Sequence, residues 1–115
     1  MLTRLDILGS DDLEFETVHV PEWNGEVRVR MLTAGQRDRF ESEVAGIGGK
    51  SKNMTNLRAR LVALTACDQE GEQLFQAGDI EALAKKSAAA VDRVFSVAAR
   101  LNGFTSSDIE ELEGE

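Results

Sequence analysis

At 115 residues and 12.6 kDa the chain has the length of one domain, enough to bury a core without disulfide or metal staples. Hydrophobic residues make up 42%, which excludes global disorder; aromatics are only 5% and tyrosine is absent, so the core must come from Leu, Val, Ile and Ala, a palette suited to helix packing. A formal net charge of -8 opposes nucleic-acid binding, which needs clustered positive charge, and fits a basic or neutral protein partner or plain solubility.

Residues 1–13 read as a lead-in. Leu5, Ile7 and Leu8 are expected to tuck against the body, and Gly9-Ser10-Asp11-Asp12 breaks the pattern. The N-terminus has no apolar signal-like core, and no run approaches the length of a membrane span, so the chain reads as cytosolic, with no membrane partner. Next, FETVHV and EVRVRM alternate in polarity and predict two strands, together a β-hairpin over 14–32. Asn24-Gly25 between them predicts a two-residue type I′ turn. That loop would set Val20 opposite Val29 and Val18 opposite Met31. Val18, Val20, Val27, Val29 and Met31 would share the buried face. Trp23, the chain's only tryptophan, would lie on the polar face, its ring over Arg28.

A helical body is predicted over 33–104. Thr33-Ala-Gly-Gln36 is a capping box that should open a helix over about 34–45, with Phe40 and Val44 as its narrow apolar stripe. GIGGKSKN, 46–53, contains Gly-Lys-Ser, but a phosphate-binding loop also needs glycine where Val44 stands and a strand before it; the stretch is expected to be a plain loop. NLRARLVALTACD predicts a central helix on Leu57, Leu61 and Leu64, ended by a turn at Asp68–Gly71. Leu74-Phe75 is a short apolar anchor. Asp79 is placed to cap the helix IEALAKK, and Ser87 the last long helix, whose stripe runs through Val91, Val94, Phe95, Ala98 and Leu101 to an Asn102-Gly103 stop. The remaining 105–115 form an acidic tail. The expected architecture is α+β: a small N-terminal β-hairpin packed on a predominantly α-helical body, as one domain.

No constellation for catalysis, cofactor or metal is evident. Cys67 lacks a disulfide partner and reads as a small buried hydrophobe; the only base that could make it a nucleophile is the single histidine, His19, in a strand. The chain therefore reads as a binding protein and not as an enzyme. Candidate protein-binding residues are Trp23, Leu74 and Phe75, together with Val94, Val97 and Leu101 on the last helix, whose apolar surface is broader than a small hairpin needs.

In order, the chain carries D-I-L near its start, V-H-V-P-E-W, G-x-V-x-V-R, L-T-x-x-x-R-D-x-F-E, R-A-R-L-V-A-L, D-x-E-G-x-x-L-F, I-E-A-L-x-x-K-S-A-A-A-V-D-R-V-F and L-N-G-F-T-x-x-D-I-E-E-L-E. None of these is specific alone. As a series over nearly the whole length they resemble the tail assembly chaperones of long-tailed bacteriophages and prophages. The resemblance implies a small protein of the host cytoplasm that coats the tape measure protein, keeps it soluble, helps recruit the tail tube protein and is absent from the mature virion. In many such phages a frameshift yields a longer form with a tail-tube-binding domain. It implies no catalytic residues and no cofactor, and it leaves room for self-association. The competing reading is a structural tail or head–tail component retained in the virion.

Overall fold

The computed structural model describes residues 1–45 and 56–104. Helix α1 (Arg4–Leu8) precedes strands β1 (Phe15–Val20) and β2 (Gly25–Arg30); helix α2 (Ala34–Ala45) follows, then α3 (Leu57–Thr65), strand β3 (Ala66–Cys67), α4 (Ile80–Ala84) and α5 (Ala88–Leu101). The strands form one antiparallel sheet in the order β1-β2-β3, so the expected hairpin on a helical body is present but carries a third strand.

The hairpin register differs from the expectation. Val18 lies opposite Val27, Val20 opposite Gly25 and Glu16 opposite Val29. Asn24-Gly25 is not a two-residue loop. Pro21–Trp23 make a 3₁₀ turn in which the Asn24 N–H donates to the Pro21 carbonyl at 3.1 Å, Asn24 alone takes a left-handed conformation (φ 55, ψ 40), and Gly25 already belongs to β2. Proline explains the outcome: its fixed φ near −65° starts a helical turn at Pro21 and leaves no strand there to extend to Trp23. The partner of Val20 thus moves from Val29 to Gly25, an even shift, which leaves the paired strand residues on their expected faces, whereas Trp23 leaves the strand and packs against the core instead of lying on the polar face. Val18, Val20 and Val29 are buried and Val27 packs half-buried against them. Met31 falls beyond the paired strands, where its N–H reaches the Glu14 carbonyl at 3.0 Å.

The central helix is shorter than LVALTACD suggested. It stops at Thr65, whose buried hydroxyl donates to the Leu61 carbonyl at 2.8 Å, and Ala66 turns to extended backbone (φ −66, ψ 130). Ala66 and Cys67 pair with Val29 and Arg28 as β3. The chain then folds straight back: Asp68 N–H to Glu72 and Leu74 N–H to Ala66 continue the sheet beyond β3 through residues 72–74.

Helix starts follow the sequence at α2 and α5 and depart from it at α4. The Thr33/Gln36 box closes as expected, with Gln36 N–H on Thr33 Oγ1 at 3.1 Å and Thr33 N–H on Gln36 Oε1 at 3.0 Å. Ser87 caps α5 through Ala90 N–H at 3.3 Å. Asp79, by contrast, does not cap α4; its carboxylate turns back to the Gln76 N–H at 2.9 Å, where it closes a 3₁₀ turn over Ala77–Asp79. The glycine loop 46–53, the Val44 side chain and the tail 105–115 lie outside the described residues.

The core sits between the sheet and the helices. α5 lies across β1 and β2, α3 packs beside it, and α2 and α4 pack on α3. One cluster joins Val18, Val20 and Val29 from the sheet with Leu61, Val62 and Leu57 from α3 and Val91, Val94, Phe95 and Ala98 from α5. After α5, Gly103 (φ +76) turns the chain so that the Phe104 N–H reaches the Ala99 carbonyl at 2.8 Å. This buries Phe104 edge-on against Phe40 of α2, with ring centroids 5.8 Å apart.

Candidate functional site

Trp23 ends the 3₁₀ turn and is half-buried against the core cluster. It does not cover Arg28: that guanidinium stacks on Phe15, 3.9 Å from the ring centroid, and donates to the Gln69 carbonyl at 2.6 Å. Gly71 takes a left-handed φ of +87 that closes the 68–71 turn beside this stack; a Cβ there would meet the Phe15 ring at an ordinary 3.4 Å, so the backbone conformation and not space is what favours glycine. The turn carrying Trp23 is held on α5 by Glu22, whose carboxylate accepts from Arg93 Nε at 2.9 Å. That bond, foremost, holds the Glu22 carboxyl below the usual glutamate range.

α5 carries three of the expected binding residues, which meet different fates. Val94 is fully buried between sheet and helices, so it supports the core and presents no surface. Val97 and Leu101 are half-buried at its margin. Val97 falls between Arg93, bound to Glu22, and Arg100, bound to Glu16 Oε2 at 2.8 Å. Leu101 borders a shallow depression with Met31, Leu32 and Arg37. Beside it, Asn102 ties α5 to the sheet's exit: its Oδ1 accepts from Leu32 N–H at 2.6 Å, and its backbone carbonyl accepts from Arg37 at 2.7 Å.

Leu74 and Phe75 lie apart from that surface, in the segment leaving β3. Leu74 is 48% exposed, whereas Phe75 packs half-buried on the core. Phe75 also floors a cleft of about 340 Å³ between α2, α3 and the start of α4. Ala63, Leu64, Ala77 and Ile80 complete the apolar floor, and Gln36, Arg39, Glu43 and Arg60 supply a polar rim, with Arg60 3.7 Å from Glu43. Such a combination suits the apolar stripe of a helix flanked by charged groups.

A second set of apolar groups was not anticipated as surface. Leu5, Ile7 and Leu8 do not tuck against the body: they are 74%, 56% and 66% exposed, and none of the residues of α1 is buried. A local capping box of Thr3 and Asp6 starts this helix instead, and bonding to the Thr3 backbone holds the Asp6 carboxyl below its usual range. The sequence signal was the Thr-x-x-Asp spacing at the very start of the apolar run.

Cys67 and His19 do not form a dyad. Cys67 on β3 faces Arg28 and His19 on β1 faces Glu26, so β2 intervenes and the two are about 10 Å apart by strand spacing alone. The thiol is buried, and burial pushes its pKa up, away from the reactive thiolate. Among the described residues, no group of three or more His, Cys, Asp or Glu side chains is placed to hold a metal, and no helix is long and apolar enough to cross a membrane.

The described residues thus form an antiparallel sheet backed by α5 and α3, with the Phe75 cleft and α1 at the surface. The chain belongs to the phage tail assembly chaperone family, whose model matches residues 9–115. The solved structure of the bacteriophage HK97 tail assembly chaperone shares the fold, with a TM-score of 0.59, 22% sequence identity, and coverage of 77% of this chain and 85% of that one. No curated protein matches the chain in sequence.

Proposed function

We propose that the chain binds the tape measure protein of its phage, keeps that long helical protein soluble and promotes assembly of the tail tube around it. Membership of the tail assembly chaperone family over residues 9–115 is the observation that carries this reading. The Phe75 cleft supplies a physical route: a client helix lays its apolar stripe on Leu64, Phe75 and Ile80 while its charged flanks meet Arg39 and Glu43. Contacts of this size are weak singly. Repeated along a long client they hold by multivalency and still release. The net charge of -8 keeps the coated complex dispersed. The tail tube protein is a second partner, met directly or through a frameshifted longer form. The protein acts in the host cytoplasm as one domain, without catalysis or cofactor, and leaves before the virion is complete.

Two measurements test this. Mass spectrometry of purified virions should find no stoichiometric copies of the chain; abundant copies would show it to be a structural tail component. Ala77→Glu puts a carboxylate into the cleft from an exposed position on its lining. It should lower co-purification of the tape measure protein several-fold with little change in the unfolding midpoint. Unchanged co-purification would move the client off this cleft.

A further inference from the structure

We propose that the outer face of the sheet is the docking site of the chain's own acidic C-terminal segment, 105–115, which lies outside the described residues. The strands turn Val18, Val20 and Val29 towards α5 and α3, so the alternate residues Phe15, Thr17, His19, Arg28 and Arg30 face the other way. Phe15 is 38% exposed, and Thr17 and His19 are exposed, which leaves the face open along β1. In a chain of net charge -8 this face is cationic at its Phe15–Arg30 end; the acid on its paired strands, Glu26, sits opposite His19 at the far end. Arg37, Arg58, Arg60, Arg93 and Arg100 each hold an acid at 3.9 Å or closer. Among the described residues no carboxylate pairs with Arg28 or Arg30, and the Arg30 Nε is buried without an acceptor. A part-buried guanidinium without a counter-ion gains more from a carboxylate on its terminal nitrogens than an exposed one does.

The place where α5 ends selects the occupant. Asn102, at that end, donates from Nδ2 to the Arg30 carbonyl at 3.4 Å, and Phe104 follows two residues later. The segment that comes next therefore starts beside the cationic end of the sheet. It carries the acids Asp108, Glu110, Glu111, Glu113 and Glu115 and no base. Extended at about 3.3 Å per residue it reaches roughly 36 Å, enough to round the ~10 Å end of the sheet and run the ~20 Å of β2. Ile109 and Leu112 supply apolar groups for the exposed Phe15 ring and for Leu13, half-buried two residues before it. The acids around them meet Arg30 and Arg28. Arg28 is arranged in advance: its stack on Phe15 at 3.9 Å and its bond to the Gln69 carbonyl hold the guanidinium, which lowers the entropy lost on pairing. Weak contacts suffice, because the tether gives the segment an effective concentration of millimolar order. The outer face thus meets an outside acidic partner only when the segment is displaced.

The contact is separate from the Phe75 cleft on α2 and α3, so its failure and that of the client reading are distinguishable. A nitroxide on Glu113→Cys of the full chain reads it by paramagnetic broadening, since Cys67 is buried and stays unlabelled. At low salt the amide signals of Thr17, His19 and Arg28 should fall at least about twofold, and those of Ile80–Ala84 in α4 should keep their intensity. The broadening should disappear in about 0.5 M NaCl, which screens the ion pairs. It should also disappear when Asp108 is changed to Asn and Glu110 and Glu111 to Gln, substitutions that touch none of the core. Nitroxide chains mixed with separate isotope-labelled chains should give no broadening, because the contact is within one molecule. Undiminished Thr17 and His19 signals at low salt would overturn the inference. So would broadening that survives both salt and the loss of the acids, broadening between separate chains, or broadening strongest at Phe75 and Arg39 of the cleft.

Discussion

At the residue scale, the most consequential polar side chain is Asn102. It accepts from the Leu32 N–H, donates to the Ala98 carbonyl at 2.9 Å, and so joins the end of α5 to the end of the sheet. Asn102→Ala would leave a part-buried backbone donor without its partner, at a cost of about 1–3 kcal/mol. Urea denaturation should show the loss as a lower midpoint at unchanged slope. Glu22 supplies a pH dependence. Its folded pKa is depressed by the Arg93 bond, so its stabilisation is present above the ordinary glutamate pKa and disappears as pH falls through the depressed value. Glu22→Gln should flatten that part of the stability–pH curve and leave the neutral-to-alkaline side unchanged in shape, as followed by urea midpoints across the acid range. An identical acid limb in wild type and variant would show that the ion pair adds nothing to folding.

At the scale of elements, the sequence showed most where a local rule had no competitor. The Thr33/Gln36 box, the Ser87 cap and the α5 stripe involve only near neighbours on one helix, and all three stand in the fold. The hairpin register was misread because two local rules competed: Asn-Gly favours a two-residue loop, and Pro21 favours a helical turn three residues earlier, which prevailed. The faces of the paired strand residues survived because the resulting shift was even, but that of Trp23, drawn into the turn, did not. β3 was not legible because two residues carry no period; Ala66 and Cys67 become strand through pairing with β2, a tertiary contact. Nor was the cleft at Phe75, whose floor and rim come from three separate segments. α1 was misplaced for the opposite reason, since apolar residues suggest burial, yet its hydrogen bonds are all local and none of its residues is buried. Removing residues 1–9 should therefore leave the thermal midpoint within about 2 °C of the full chain's, corresponding to a change below ~0.5 kcal/mol. A larger drop in differential scanning calorimetry would mean that α1 contributes to the fold.

At the scale of the whole molecule, the arrangement separates stability from recognition. The core joins sheet, α3 and α5 through aliphatic side chains, with Phe40 and Phe104 closing one end. Among the described residues, apolar surface includes the Phe75 cleft, within the residues matched by the family model, and α1, which lies before them. An acidic chain with a firm core and shallow apolar clefts is suited to many weak, parallel contacts with a long helical client. The most direct measurement of that role is co-expression of the tape measure protein with and without this chain, followed by fractionation. The tape measure protein should move from the pellet to the soluble fraction and co-elute with several copies of the chain. A tape measure protein equally insoluble in both cases, or soluble without the chain bound to it, would contradict the account.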